Sequence, residues 1–209
     1  MVSRETSTFN DFAAVLPVSR ETEARLRAYA DLLLTWQRRI NLVGPATLPD
    51  LWRRHMLDSA QLAAHLPAGP ILDLGSGAGF PGLVLAILRG GPVHLVESDA
   101  RKGAFLREAA RITGAEAVVH TQRIERLAPF AVAAITARAL APVAQLLEWA
   151  EPFLQQGVHC LFLKGRSCEE ELTQASERWK ITAERIPSVT DSSGIILHLS
   201  EVHRGQDQR

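Results

Sequence analysis

Residues 73–82 read Asp-Leu-Gly-Ser-Gly-Ala-Gly-Phe-Pro-Gly, with glycine at 75, 77, 79 and 82 behind an acidic residue. A backbone free of side chains lets a bound molecule lie directly against it. The spacing narrows the choice of molecule. A dinucleotide-binding turn counted from Gly75 needs glycine at position 80, which is Phe80. Pro81 removes one of the N–H donors that hold a pyrophosphate, and no Gly-Lys-Ser/Thr follows as a phosphate loop requires. The turn therefore suits a ligand without phosphates. Glu97 lies 22 residues after Gly75, at the strand end where a carboxylate accepts from both hydroxyls of a ribose. Asp73 is placed to hold an ammonium, directly or through water. S-adenosylmethionine, an adenosine joined to a sulfonium amino acid, has both features; a nicotinamide dinucleotide fits poorly.

Other residues are candidates for the substrate side. His55 and Asp58 are three apart on one face of a helix, and read either as substrate groups or as a helix-internal hydrogen bond that fixes the fold. Arg54 suits an RNA phosphate or plain solvent, and Arg123 likewise. Lys164 ends a strand on the side where α/β sheets bind ligands. Trp36 and Trp52 read as core or domain-interface residues rather than base-stacking platforms, Cys160 as a small core residue inside a strand, and Glu169-Glu170-Glu171 as a solvated first helical turn. With two cysteines there is no disulfide framework and no metal-ligand spacing.

The elements that carry these groups change character along the chain. Leu26, Tyr29, Leu33, Trp36 and Ile40 form one face of an amphipathic helix over 19–40 with Ser19 as N-cap. A second helix is expected over 50–65, so residues 1–66 form a helical extension. From 67 to 204 strand-like runs (70–74, 93–98, 117–122, 131–137, 158–165) alternate with helix-like ones (81–89, 100–113, 141–155, 169–179). That alternation predicts an α/β fold with a mostly parallel sheet covered on both faces. Two last strands joined through "TDSSG" add a C-terminal antiparallel hairpin, and 205–209 reads as a disordered tail. The 209 residues carry 23 cations and 23 acids, so a strongly basic nucleic-acid binder is disfavoured. Even so, Arg38, Arg39, Arg53 and Arg54 face only Asp50 between positions 36 and 54. No run is long and apolar enough for a membrane span, and the first residues lack the pattern of a signal peptide. A cytoplasmic protein is expected.

The motifs "ILDLGSGAGFPG", "VESDARKGAFL", "QRIERL", "ITARAL" and "LKG", preceded by "WQRRINLVG" and "RRHMLDS", occur in that order. Together they resemble the bacterial small-subunit (16S) ribosomal RNA guanine-N7 methyltransferases, also called RsmG or glucose-inhibited division protein B, over roughly residues 30–200. Ala137 in "TARA" departs from the serine expected there. The resemblance implies a class I methyltransferase (Rossmann-like) sheet and cofactor contacts at Gly75 and Phe80, at Ile124 and Glu125, and at Arg138 beside the transferred methyl. It implies small-subunit ribosomal RNA as partner; with so few local cations a structured target within a ribosomal particle is expected, and no metal. Arg138 and Lys164 are the catalytic candidates, neither of them certain. The residues permit that chemistry. "TARALAP" replaces the Asn/Asp-Pro-Pro-aromatic run used for amino methylation, and no cysteine stands at a strand end for attack on a pyrimidine carbon. Guanine N7 carries a lone pair and no proton, so it attacks a sulfonium methyl in line without a general base. A small-molecule methyltransferase with a helical lid, or a cofactor-binding subunit without activity of its own, are the alternatives.

Overall fold

The computed structural model describes residues 7–205; residues 1–6, where the N-terminus was read for a signal peptide, and most of the expected tail lie outside the described residues. Gly205, assigned to that tail, donates its N–H to the Arg178 carbonyl at 2.9 Å and so extends the ordered end.

The chain opens with α1 (Phe9–Val15), which the sequence pattern did not single out. Thr8 and Asp11 satisfy its first donors reciprocally in a capping box. Helix α2 (Arg20–Gln37) starts at the expected cap, Ser19 Oγ accepting from Thr22 N–H at 3.1 Å. It stops three residues before the predicted end because the Gln37 side chain takes over the turn. Its Oε1 accepts from the N–H groups of Leu42 and Val43, both at 3.0 Å, and its Nε2 donates to the Val43 carbonyl. The expected second helix is not regular. Residues Pro45–Asp50 form a 3-10 turn and Trp52–Leu57 a π-helical turn. A short α3 (Asp58–Ala60) and a further 3-10 turn (Gln61–Ala64) complete the segment. Arg138 donates to the Arg54 carbonyl at 3.1 Å and Ser59 Oγ to the His55 carbonyl at 2.7 Å, acceptors that a regular α-helix keeps for its own N–H groups.

Strands β1 (Ile71–Leu74), β2 (Val93–Val96), β3 (Ala117–His120), β4 (Ala134–Arg138) and β5 (His159–Lys164) run parallel. They alternate with α4 (Gly82–Arg89), α5 (Ala100–Thr113), α6 (Val143–Ala150) and, after β5, α7 (Cys168–Ser176). Strands β6 (Trp179–Pro187) and β7 (Ile195–Arg204) close the chain as a hairpin, with β7 inserted antiparallel beside β5. The sheet order is β3-β2-β1-β4-β5-β7-β6. This is the mixed α/β sheet that the alternating pattern predicts, with one reversed strand.

Two apolar layers flank the sheet. Ile71, Ala134 and Leu161 join α4 and α5 on one face, where Phe12, Leu26, Tyr29 and Leu33 of the N-terminal helices complete the same core. Leu72, Leu74, Ile135 and Phe162 join α6 and α7 on the other. Trp36 packs edge-on against Phe105, and Trp52 against Phe9. Both are structural, as is Cys160, fully buried and with its thiol pushed up to about 12 by burial.

Candidate active site

Strand order reverses between β1 and β4, and a cleft opens beyond their C-terminal ends. A cavity of about 350 Å³ lies there. Its floor is the glycine turn, where Gly75 (φ 65°) and Gly77 (φ 56°) occupy left-handed backbone that side chains resist. A Cβ on Gly77 would have Gly75 O, 3.8 Å away, as its nearest neighbour, so it would take up cavity space. Gly75 differs: a Cβ there would stand 2.6 Å from Leu140 Cδ1. The cavity also gathers Phe80, Glu97, Ile124, Glu125 and Arg138 from the predicted set, with Trp149 from α6.

Glu97 reaches back to the turn. Its Oε2 accepts from Gly77 N–H at 3.0 Å and its Oε1 from Asp99 N–H at 2.7 Å. Each oxygen keeps a second lone pair for a ligand hydroxyl. Asp73 and Gly79 do not line the cavity. Asp73 sits on the α4 side of β1, fully buried, with Thr136 Oγ1 donating to its Oδ1 at 2.8 Å and no partner for its Oδ2. Burial pushes its pKa up to about 6 against the hydrogen bonds that stabilise the anion. A Cβ on Gly79 would lie 2.8 Å from Tyr29 Oη and 2.9 Å from Leu83 Cβ. That glycine therefore makes room for α2 rather than for a ligand. Tyr29 fastens the turn from above by donating its buried hydroxyl to the Ala78 carbonyl, and its ring packs 5.5 Å from Phe80.

A second, wider cavity of about 680 Å³ adjoins the first and shares Arg138, Ala139 and Leu140 with it. Arg54, His55, Asp58 and Lys164 line this second space. Arg123 does not; it stands exposed at the first cavity, as the solvent alternative allows. The four cations of the 38–54 segment are all exposed, and Arg53 Nε donates to the Thr190 carbonyl at 3.1 Å.

Arg138 is the hub. It stacks over Phe80 with its guanidinium carbon 4.9 Å from the ring centre. It donates to His55 Nδ1 at 2.9 Å and to the Arg54 carbonyl at 3.1 Å, and reaches Asp58 Oδ2 at 3.5 Å. Because Arg138 can only donate, His55 Nδ1 must accept. The proton of a neutral ring then sits on Nε2 and is donated to Thr47 Oγ1 at 2.7 Å. Thr47 passes its own hydroxyl proton to the Gly44 carbonyl at 2.7 Å. Burial, with Arg138 and Arg54 nearby, lowers the His55 pKa to about 3. His55 and Asp58 are thus not bonded to each other; both turn toward Arg138. Asp58 is fixed from its other side by Thr190 Oγ1 at 2.7 Å and Gln61 Nε2 at 2.9 Å.

Lys164 is not free either. It donates to the Ala141 carbonyl at 2.9 Å and pairs with Glu171 at 2.5 Å. Glu169 pairs with Arg185 but stays exposed, so Glu169 and Glu170 fit the solvated reading and Glu171 does not. Tyr29, Thr47, Thr190 and Leu140 escaped sequence reasoning. Tyr29 was legible only as an apolar helix position and Thr47 only as part of a proline-flanked turn, while Thr190 and Leu140 lie in loops whose partners are far away in the chain. Among the described residues no group of three or more His, Cys, Asp or Glu is gathered as a metal site, and no helix is long and apolar enough to cross a membrane.

Comparison with known proteins follows this geometry. Residues 22–199 match the family described as rRNA small subunit methyltransferase G. A protein of that name from Paramagnetospirillum magneticum is 60% identical over 193 residues, covering 91% of this chain and 94% of the relative. One from Rhodospirillum rubrum is 59% identical over 195 residues, covering 92% and 97%. Among solved structures, magnesium protoporphyrin IX methyltransferase from Synechocystis with bound SAM superposes with a TM-score of 0.59 at 12% identity, covering 89% of this chain and 99% of that one. An O-methyltransferase from Bacillus cereus in complex with SAH gives 0.57 at 16% identity, covering 96% and 100%. At such identities these two show the shared fold: a class I methyltransferase sheet.

Proposed function

The chain belongs to the rRNA small subunit methyltransferase G family, and on that premise we propose that it methylates N7 of a guanine in small-subunit ribosomal RNA, using S-adenosylmethionine. Residues 67–204 act as the cofactor-binding unit, and in the extension 1–66 the described part, 7–66, covers the glycine turn and flanks the substrate cavity. The first cavity fits the cofactor. Its glycine floor admits close approach, Pro81 leaves the following helix short of a phosphate-binding donor, and the Glu97 and Glu125 carboxylates face a ligand that carries hydroxyls and positive charge. When bound, the cofactor supplies an electrophilic methyl on a sulfonium.

The observation that carries the choice of N7 is the state of the wall common to both cavities. His55, which lies against that wall, has both ring nitrogens engaged and a pKa of about 3. Asp58 accepts from Thr190 and Gln61 and faces Arg138. Neither His55 nor Asp58 stands ready to take a proton there. A nucleophile with an in-plane lone pair and nothing to lose suits such a wall; an amino group does not. Arg138, held on four sides, keeps a fixed charge and shape between the two occupants. Catalysis then rests on positioning and exclusion of water, worth about 7–11 kcal/mol in favourable cases.

The RNA enters this reading as part of a folded ribosomal particle in the cytoplasm. The second cavity sets Arg54, Arg138 and Lys164 against Asp50, Asp58, Glu171 and Asp191, so it offers no general attraction for phosphate. Recognition must come from a structured target. The test compares small-subunit particles and free RNA from cells lacking the gene as substrates for the purified protein. Borohydride and aniline cleavage then maps any 7-methylguanosine formed. One cleavage position in the particle and little product in free RNA is expected; product at an adenine or on the ribose refutes the reading.

A further inference from the structure

We propose that Asp50 reads the Watson–Crick edge of the target guanine from the second cavity, an assignment that rests on the guanine reading above. Most polar side chains lining that cavity are already engaged. Arg138, His55, Asp58 and Thr47 belong to the hub, Lys164 and Glu171 hold each other, and Asp191 Oδ1 accepts from the Ser193 N–H at 2.8 Å. Asp50 differs. It is half-buried and ends the 3-10 turn Pro45–Asp50, and its side chain has no hydrogen bond or ion pair among the described residues. One helical turn on, Arg54 presents an exposed side chain to the same cavity.

A carboxylate only accepts hydrogen bonds. Opposite N7, guanine offers two adjacent donors, N1–H and the N2 amino group, which a carboxylate takes as a pair. Adenine puts a lone pair at N1, which an anion repels, so the same residue discriminates between the purines. The pairing strengthens during the reaction. As N7 forms its bond to the methyl and the sulfonium leaves as a neutral thioether, positive charge spreads over the purine and makes N1–H a stronger donor. An interaction that grows toward the transition state raises kcat rather than only lowering KM. Arg54, beside Asp50, is left for the phosphate of the same or a neighbouring nucleotide.

The test uses particles reconstituted with guanosine or inosine at the mapped position. Inosine keeps N7 and N1–H and lacks the N2 amino group. Wild type should favour guanosine by roughly 10- to 100-fold in kcat/KM, the range for a lost hydrogen bond to a charged group. Asp50→Asn should be slower on guanosine by a similar factor, chiefly in kcat, and should no longer distinguish the two bases. Calorimetric titration with S-adenosylmethionine should give wild-type affinity for the variant, which separates the effect from misfolding. If Asp50→Asn keeps the wild-type preference, or matches wild type on guanosine, the assignment is wrong while the methyltransferase reading stands. If wild type forms no 7-methylguanosine in either particle, the guanine reading falls and the assignment with it.

Discussion

Replacing Asp73 with Asn should change how stability depends on pH, and the size of the change follows from the carboxylate's surroundings. The side chain is fully buried at the end of β1, with one oxygen bonded to Thr136 and the other without a donor. Burial raises its pKa from 3.8 to about 6. The folded chain therefore holds this proton more tightly than the unfolded chain does. Below about pH 3.8 both states are protonated and folding bears no penalty; the penalty grows as pH rises through the window and is constant above about pH 6. At about 1.4 kcal/mol per unit it amounts to about 1.6 kcal/mol at pH 5 and about 3 kcal/mol at pH 8. Asp73→Asn keeps an acceptor for Thr136 and does not titrate. Any cost of its buried amide is the same at both pH values. Urea unfolding of the two proteins without cofactor should thus show the difference in stability moving by about 1.4 kcal/mol in favour of the variant between pH 5 and pH 8. A stability difference that is the same at pH 5 and pH 8 would refute the reasoning, because it would mean that the buried carboxylate has an ordinary pKa.

Gly75→Val should abolish cofactor binding in calorimetry while the protein stays folded. The new side chain would be forced against Leu140 at a φ of 65°, and unchanged affinity would overturn the assignment of the first cavity. Single-turnover methylation at saturating RNA and cofactor should be flat between about pH 6.5 and 9, since His55 is neutral throughout that window. A tenfold rise per pH unit that disappears in His55→Ala would reveal a base after all. Arg54→Ala should raise the KM for the particle and reduce the log–log salt slope by about 0.7–0.9, the share of one phosphate contact. Cofactor affinity should not move; a normal KM and slope would make Arg54 ordinary solvated surface.

Local patterns carried most of the fold. The caps at Ser19 and the alternation of apolar runs located α2 and the parallel strands, because burial of one face imprints its period on the sequence. The segment 45–64 was legible as helical but not as a chain of 3-10, π and α turns. Its geometry is decided by distant partners, since Arg138 takes the Arg54 carbonyl and the His55 ring from β4. The same holds at the site. Gly75, Gly77 and Glu97, singled out by spacing, line the first cavity, whereas Gly79 looked identical and serves the approach of Tyr29, which only the packing of α2 reveals. Lys164 stood at a plausible strand end, and its capture by Glu171 depends on where α7 begins. Spacing shows which residues leave the sheet together, and tertiary contacts determine which of them remain available.

Arg138, Ala139 and Leu140 bound both cavities, with Ala139 held at a φ of 48° and Leu140 resting over Gly75. If cofactor and RNA fill the two cavities as proposed, this wall is where coupling between them would arise, and linkage makes that coupling reciprocal. Whatever the RNA does to the affinity for the cofactor, the cofactor must do to the affinity for RNA by the same factor. The sign of that coupling sets the kinetic order of the enzyme. If the methylated cofactor braces Leu140 where the base needs it and the demethylated product does not, loss of the methyl itself weakens the grip on RNA. Turnover would then be timed by a three-residue wall, with no moving domain required.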